Sequence, residues 1–269
     1  MTKGRIIALF ITIALVLGLA MPALAAGPPD NPGKGPSGLT KIVFVHYRKG
    51  VEAKGGIPGS PVDGNSKADD KEWYRYGGVH WADPSNIPLK VKAYDAGNPG
   101  GTFDAAIIAA FETWEIQGVT INFNCEEVTE LDYPVPSSFY NNSTNLTNEV
   151  GWMSFEDYNL PSRAIAVTAV WVYEGTTIIA EADMAMNTDL PWAQDNTVTD
   201  PDNETADIAT AYDVQNIATH EAGHFLMLED LYSRPADDQT MYGRGSLGEL
   251  KKRSLESGDI AGILEIYPE

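Results

Sequence analysis

The chain has 269 residues, a single cysteine and a formal net charge of −20 at pH 7. This acidity argues against nucleic acid and anionic membranes as partners, because both present phosphate groups that would repel the chain. One cysteine excludes an internal disulfide, so packing and any bound ions must hold the fold.

The first 25 residues have the pattern of a secretory signal peptide. Two basic residues come first, residues 6–20 are apolar, and Ala-Leu-Ala at residues 23–25 forms a small-x-small cleavage site. The apolar run approaches membrane-spanning length, so an uncleaved anchor is the alternative. Pro22 and the cleavage pattern favour removal. We therefore expect cleavage after Ala25, secretion, and no membrane partner once the signal is removed.

Residues 26–40 are rich in proline and glycine, which predicts a flexible lead-in. From residue 41 to residue 269 no second boundary of this composition appears, and the length suffices for one sizeable core. We therefore predict one domain over residues 41–269, and we expect a monomer.

Strands and helices alternate along this domain. Alternating β-branched and aromatic residues predict strands at residues 42–47, 89–94, 119–128, 165–173 and 177–187. Between the second and third strands, an apolar stripe predicts a helix that Thr102 caps and Gly118 ends. The last two strands form a hairpin around Glu174 and Gly175. This order predicts an α+β fold, with two long helices packed on a mixed, twisted sheet.

The most informative segment is His-Glu-Ala-Gly-His at residues 220–224. On an α-helix, residues four apart lie on one face, so His220 and His224 can converge on one metal ion. Glu221 can then reach a water molecule at the metal and take its proton during attack on a carbonyl. The spacing is that of zinc hydrolases. A helix with two satisfied polar histidines is the structural alternative.

The flanking residues support a metal site. Asp213 is a good N-cap for this helix, and apolar residues continue the helix to about Leu228. Asp230 lies ten residues after His220 and is an oxygen ligand of the kind that zinc accepts as a third protein contact.

Two further distinctive segments follow the His-Glu-Ala-Gly-His segment along the chain. Met241 lies in Thr-Met-Tyr-Gly, and residues 257–267 read Ser-Gly-Asp-Ile-Ala-Gly-Ile-Leu-Glu-Ile-Tyr. With the zinc-binding segment, this order resembles the metzincin clan of zinc peptidases, and within it the matrixins. The resemblance implies that Met241 forms a structural Met-turn beneath the zinc and that a last helix lies below the cleft. The apolar stripe of that helix would be Ile260, Ile263, Leu264 and Tyr267.

Two positions depart from the metzincin pattern. Asp230 replaces the third zinc histidine, a substitution that resembles the snapalysin type of secreted metzincin. Met227 replaces the glycine that ends the active-site helix, and methionine tolerates positive φ poorly. On an unbroken helix Asp230 would point about 80° away from His220. Either the helix breaks at residues 227–229, or another carboxylate closes the site. The available carboxylates are Glu229, Asp237 and Asp238.

Residues 180–192 also resemble matrixin sequences. The corresponding matrixin strand forms the upper edge of the cleft, and the substrate adds to it through main-chain hydrogen bonds. The resemblance implies this role for Glu181, Ala182, Asp183, Met184 and Ala185. An ordinary half-buried strand is the alternative.

Calcium is a second expected cofactor, because many secreted zinc peptidases carry it as a structural clip. An acidic cluster before the active-site helix offers oxygen ligands of the kind calcium needs, without EF-hand spacing. Its members are Asp195, Asp200, Asp202, Asn203, Glu204 and Asp207. Calcium here, calcium elsewhere in the domain, and a solvated acidic surface all remain open.

Three other residues are predicted to be structural. His46 and His80 have no partner at ligand spacing, so we expect neither to bind metal. Cys125 lies in an alternating segment and reads as a buried thiol, so we expect no cysteine switch of the kind that silences matrixin zymogens.

We therefore expect a secreted zinc-dependent endopeptidase that acts on protein or peptide substrates. His220, His224 and Asp230 would hold the metal, and Glu221 would be the general base. Two alternatives remain. In a gluzincin-type peptidase, Glu249 or Glu256 would supply the third ligand. Otherwise the chain would be a catalytically inactive secreted binding protein on the same scaffold.

Overall fold

The structure is a computed structural model that describes residues 38–50, 73–94, 102–140, 143–194 and 209–269. The predicted signal peptide, most of the lead-in and the whole acidic cluster at residues 195–207 lie outside the described residues. Within the described part of the chain, no helix is both long enough and apolar enough to cross a membrane.

A mixed seven-stranded sheet is the centre of the fold, in the order β3-β2-β4-β6-β5-β1-β9. Strands β1 and β6 are each antiparallel to β5, and the other neighbouring pairs are parallel. Strands β7 and β8 form a separate parallel pair. The strands are β1 Leu39–Arg48, β2 Ile87–Lys92, β3 Phe123–Val128, β4 Glu149–Met153, β5 Ala164–Tyr173, β6 Ile179–Asn187, β7 Trp192–Ala193, β8 Tyr212–Asp213 and β9 Arg244–Gly245.

Among the described residues three α-helices accompany the sheet, so the predicted α+β class with a mixed sheet is confirmed. They are α1 Asp104–Glu112, α2 Val214–Phe225 and α3 Ser257–Ile266, with short 3₁₀ turns at Ser137–Phe139, Arg234–Ala236 and Lys251–Arg253. Asp213 caps α2 as predicted, because its carboxylate accepts a hydrogen bond from the Asn216 amide at 2.8 Å.

Several predicted boundaries need correction. Phe103, not Thr102, is the N-cap of α1, and no side-chain hydrogen bond caps that helix. Helix α2 ends at Phe225, earlier than the predicted Leu228. The predicted strand at residues 119–128 begins only at Phe123, because Thr120 bonds instead to the chain end at Tyr267.

Two further predictions are only partly right. In α3, Ile263 and Tyr267 are buried as predicted, whereas Leu264 is 37 % exposed because it lies about 100° around the helix from Ile263. Cys125 is half-buried on β3, where burial raises the pKa of its thiol to about 12.

The two faces of the sheet carry separate apolar cores. The larger core lies between the sheet and the helices. It includes Trp114, which follows α1, and Phe225 of α2. The smaller core covers the opposite face. Strand β1 contributes to both, because successive side chains alternate across a strand. Phe44 lies in the first core, whereas Val43 and Val45 lie in the second.

Candidate metal centre

Helix α2 presents two histidines from one buried face. His220 and His224 are both 0 % exposed. The helix is fixed against the α1 region by a hydrogen bond from Trp114 Nε1 to the Thr219 carbonyl at 2.9 Å and by edge contact between the Phe111 and Phe225 rings. The two imidazoles therefore leave α2 in set directions, toward a single point beyond the helix end.

Asp230 meets both imidazoles at that point. Its Oδ1 atom lies 3.1 Å from His220 Nε2 and 3.6 Å from His224 Nε2. Three ligand atoms each about 2.0 Å from a tetrahedral zinc ion would be roughly 3.3 Å apart. The observed separations therefore fit a zinc ion held by these three atoms.

The remaining ring nitrogens fix the direction of each imidazole. His220 Nδ1 lies 2.7 Å from the Thr240 carbonyl, and His224 Nδ1 lies 2.7 Å from the Leu228 carbonyl. Since a carbonyl only accepts, each Nδ1 carries a proton, and in the neutral imidazole each Nε2 therefore presents a lone pair. Among the described residues, both Nε2 atoms and Asp230 Oδ1 lack a hydrogen-bond partner. A metal ion bound by these three atoms would give each of them a partner.

The break after α2 brings Asp230 to this position. Met227 adopts φ +64°, the left-handed conformation that glycine normally supplies. The Leu228 amide then bonds back to the Gly223 carbonyl at 3.0 Å, and the Glu229 amide bonds to the Arg75 carbonyl at 2.8 Å. Of the two possibilities left open by the sequence, the structure adopts the break without glycine.

The alternative carboxylates lie outside this group. Glu229 pairs with Arg75 at 2.9 Å, and Asp238 pairs with Lys251 at 3.6 Å. In the described part of the chain, the clusters with metal-ligand spacing include neither of these nor Asp237. They also include neither Glu249, which lies 3.9 Å from Lys252 Nζ, nor Glu256, which caps α3.

Met241 packs against α2 at Gly223, the residue before His224. A Cβ atom added at Gly223 would lie 2.3 Å from Met241 Sδ, so the glycine between the ligands is what permits this contact. The Met241 carbonyl accepts from the Leu231 amide at 2.8 Å. The turn that carries Met241 is therefore bound both to α2 and to the segment that carries Asp230.

Glu221 is buried on the same helix as the two histidines, and both its carboxylate oxygens have neighbours. Thr168 of β5 donates its hydroxyl to Oε2 at 2.6 Å, and His46 Nδ1 lies 3.3 Å from Oε1. Burial raises the pKa of Glu221 to about 7, against the opposing effects of His224 and the Thr168 hydrogen bond. A carboxyl whose pKa is near neutrality can both accept and release a proton.

The electrostatics keep one imidazole neutral and Asp230 ionised. Burial, with the nearby Lys252 ammonium, lowers the pKa of His220 to about 3. Burial most strongly opposes charge on His224, but the Asp230 and Glu221 carboxylates and the hydrogen bond to the Leu228 carbonyl together raise the pKa of His224. Burial would raise the pKa of Asp230, yet the two imidazoles hold it well below its ordinary value. A neutral imidazole and a carboxylate are the forms that bind zinc.

His46 is more closely involved than the sequence indicated. Its ring centroid lies 3.9 Å from that of His220, and one of its ring nitrogens forms a second potential metal-binding group with His220 and Glu221. Sequence spacing did not reveal this, because its partners lie more than 170 residues away. His80 stays apart from the metal group, with its Nδ1 atom 3.4 Å from the Tyr76 hydroxyl.

The expected edge strand is an interior strand, so this prediction was wrong. Strand β6, which carries Glu181 to Ala185, pairs with β5 along one side and with β4 along the other. Just before β4, the Asn148 side chain accepts a hydrogen bond from the Ala182 amide. Near the start of β6, the His80 carbonyl accepts a hydrogen bond from the Ile179 amide, and His80 forms a bridge with Ile178. Its main chain is therefore already bonded on both sides and cannot receive a substrate strand.

No family model matches this chain, and no curated protein matches it closely enough to count as a relative. What the site can do therefore follows from its own geometry.

Proposed function

We propose that this protein is a secreted zinc-dependent endopeptidase with a matrixin-like metzincin catalytic domain. The observation that carries the proposal is the meeting of His220 Nε2, His224 Nε2 and Asp230 Oδ1 at zinc-ligand separations, beside the carboxylate of Glu221. Both histidines are held by backbone carbonyls in the tautomer that a metal requires.

Glu221 supplies the acid-base chemistry of the proposed reaction. When bound, zinc would supply a Lewis acid that polarises the scissile carbonyl and makes a water molecule acidic. The Glu221 carboxylate accepts a proton from the attacking water and delivers it to the leaving amine. Thr168 holds one carboxylate oxygen, which leaves Oε1 as the atom that moves the proton.

The surroundings of the site also fit the proposed domain type. Met241 packs against Gly223 of α2, and Asp259 of α3 accepts a hydrogen bond from the Met241 amide. These features correspond to the Met-turn and closing helix of the resemblance. We keep calcium as a proposed structural cofactor, with Asp195, Asp200, Asp202 and Asp207 as its candidate ligands.

Metal content and hydrolysis test the proposal together. The purified secreted chain should contain one zinc ion, cleave an unfolded protein, lose activity with a chelator and regain it with zinc. His220→Ala should lose both metal and activity, whereas His80→Ala, a histidine outside the metal group, should keep both. A wild-type chain that is folded but binds no zinc would exclude the proposed site.

One observation favours the non-catalytic alternative, a secreted binding protein on the same scaffold. Glu221 is 0 % exposed, so a substrate cannot reach it in this conformation. Hydrolysis by the wild-type chain that Glu221→Ala abolishes would decide against that alternative.

A further inference from the structure

Strand β1 covers the candidate metal centre with two rings. The Phe44 ring stacks on His224 with centroids 4.1 Å apart and planes within 6°, and the His46 ring lies over His220 at 3.9 Å. These side chains are two residues apart on the strand, so both project from the same face. Each ligand imidazole is therefore covered by one ring of β1.

The main chain of β1 occupies the one side of β5 that β6 leaves available. The two strands are antiparallel from the pair Leu39–Tyr173 to the pair His46–Ala166. The register then shifts between His46 and Tyr47, so that Tyr47 is the Cα partner of Ala164. On its opposite edge, β1 pairs in parallel with Arg244 and Gly245 of β9. The shift lies at the metal centre.

This position is where an extended substrate would have to bind. Proteins bind extended peptides by adding them to a strand edge, with side chains entering pockets on one face. Thr168 of β5 donates to Glu221, so β5 is the strand that flanks the catalytic carboxylate. In the described sheet its outer side is filled by β1.

The two histidines and the glutamate of the site are fully buried. His220, Glu221 and His224 are each 0 % exposed. The Glu221 oxygen left available by Thr168 is the one that His46 approaches. Gly245 makes room for this ring, because a Cβ added there would lie 3.1 Å from His46 Nε2.

We propose that Leu39–Arg48 is an intrachain occupant of the substrate groove, so that the chain as folded is latent and hydrolysis requires β1 to leave. The proposal rests on the proposed peptidase function and deepens it. An extended polypeptide would take the place of β1 along β5. Val43 and Val45 are buried in the second core, so β1 can leave only if these side chains are exposed.

A reversible cross-link between β1 and β5 tests whether β1 must leave. Val43 and Ala169 are Cα partners in the antiparallel register, and both lie in the second core, away from the metal ligands. Partners in such a ladder are within the Cα distance that a disulfide spans. The test chain is the full secreted protein with Val43→Cys, Ala169→Cys and Cys125→Ser.

A matched control joins β5 to β6 on the same face of the sheet. Val167 and Ala185 are also Cα partners in the second core, and their cross-link leaves β1 unrestrained. Both zinc-loaded chains are compared oxidised and reduced, by hydrolysis of an unfolded protein and by the rate at which a small hydroxamate binds the metal.

Oxidation of the Val43–Ala169 pair should slow both readouts by about tenfold or more, whereas oxidation of the control pair changes them little. Equal rates in the oxidised and reduced Val43–Ala169 chains would overturn the proposal, even if both chains hydrolyse substrate. Hydroxamate binding that the cross-link blocks, without hydrolysis in any chain, would support the proposal and refute the peptidase function. Failure of both chains to bind zinc would overturn both.

Discussion

Asp259 of α3 fixes the backbone of Met241. Its Oδ1 atom accepts from the Met241 amide at 3.1 Å, and its Oδ2 atom accepts from the Thr240 amide at 2.8 Å. The Thr240 carbonyl in turn accepts from His220 Nδ1. A buried carboxylate on the last helix thus sets the direction of the His220 imidazole on α2.

Asp259→Ala should destabilise the fold and weaken metal binding together. The change leaves two buried amides without an acceptor, and each costs about 1–3 kcal/mol. Denaturant unfolding of the metal-free chain and zinc titration measure the two effects. Ala261→Gln, an exposed change on the same helix, should alter neither. Unchanged zinc affinity in Asp259→Ala would show that the turn does not depend on this carboxylate.

Glu221→Gln should bind zinc normally and lose nearly all hydrolysis. The amide keeps the size of the side chain but cannot accept the proton, and loss of a general base costs about 10²–10⁴-fold in rate. Initial rates at equal zinc content check the expectation. A variant with wild-type turnover would remove Glu221 from the mechanism.

Asp230→Ala should weaken zinc binding, and Asp230→His should retain it, because imidazole is also a zinc ligand. The Tyr232 hydroxyl donates to Asp230 Oδ2 at 2.9 Å and orients the carboxylate. Tyr232→Phe should therefore reduce zinc affinity by a smaller amount, about 10-fold to 100-fold. Competition with a chelator of known affinity ranks the variants. Full zinc affinity in Asp230→Ala would place the third ligand elsewhere.

Met227→Gly should destabilise the protein although it relaxes the backbone. The left-handed conformation costs a non-glycine residue about 1–2 kcal/mol, which glycine would recover. The methionine side chain, however, is only 1 % exposed, and deletion of such a side chain costs about 2–5 kcal/mol. We expect a net loss of about 1–3 kcal/mol in denaturant unfolding. A more stable glycine variant would show that strain outweighs packing.

Asp183 should make a contribution to the stability of the fold that decreases as pH rises. Burial, with the neighbouring Glu181 carboxylate, raises the pKa of Asp183 well above its ordinary value of 3.8. The folded chain therefore holds this proton more tightly than the unfolded chain. The resulting stability is complete below pH 3.8 and is lost as pH rises toward the folded pKa.

Asp183→Asn should remove this contribution from the pH dependence of stability. The asparagine side chain is neutral at every pH, so this position no longer titrates. Unfolding free energies of the two chains at several pH values, all above 3.8, make the comparison. Parallel curves for the two chains would exclude Asp183 as a source of the dependence.

The sequence by itself determined the local parts of the candidate site. The spacing of His220 and His224 on one helical face, the N-cap at Asp213 and the α+β order follow from short-range geometry, which the chain specifies residue by residue. The position of Asp230 was only partly accessible. The local preference of methionine opposes positive φ, and the bonds to Gly223 and Arg75 decide the backbone at Met227.

Only the tertiary structure decided which strands meet. The pairing of β1 with β5, the interior place of β6 and the contact between His46 and Glu221 join segments far apart in the chain. A strand pattern states which residues share a face, but it does not state which neighbour will satisfy the main chain. For this reason the sequence named His220, His224 and Asp230 as candidate ligands, whereas the fold alone revealed the strand that covers the two histidines.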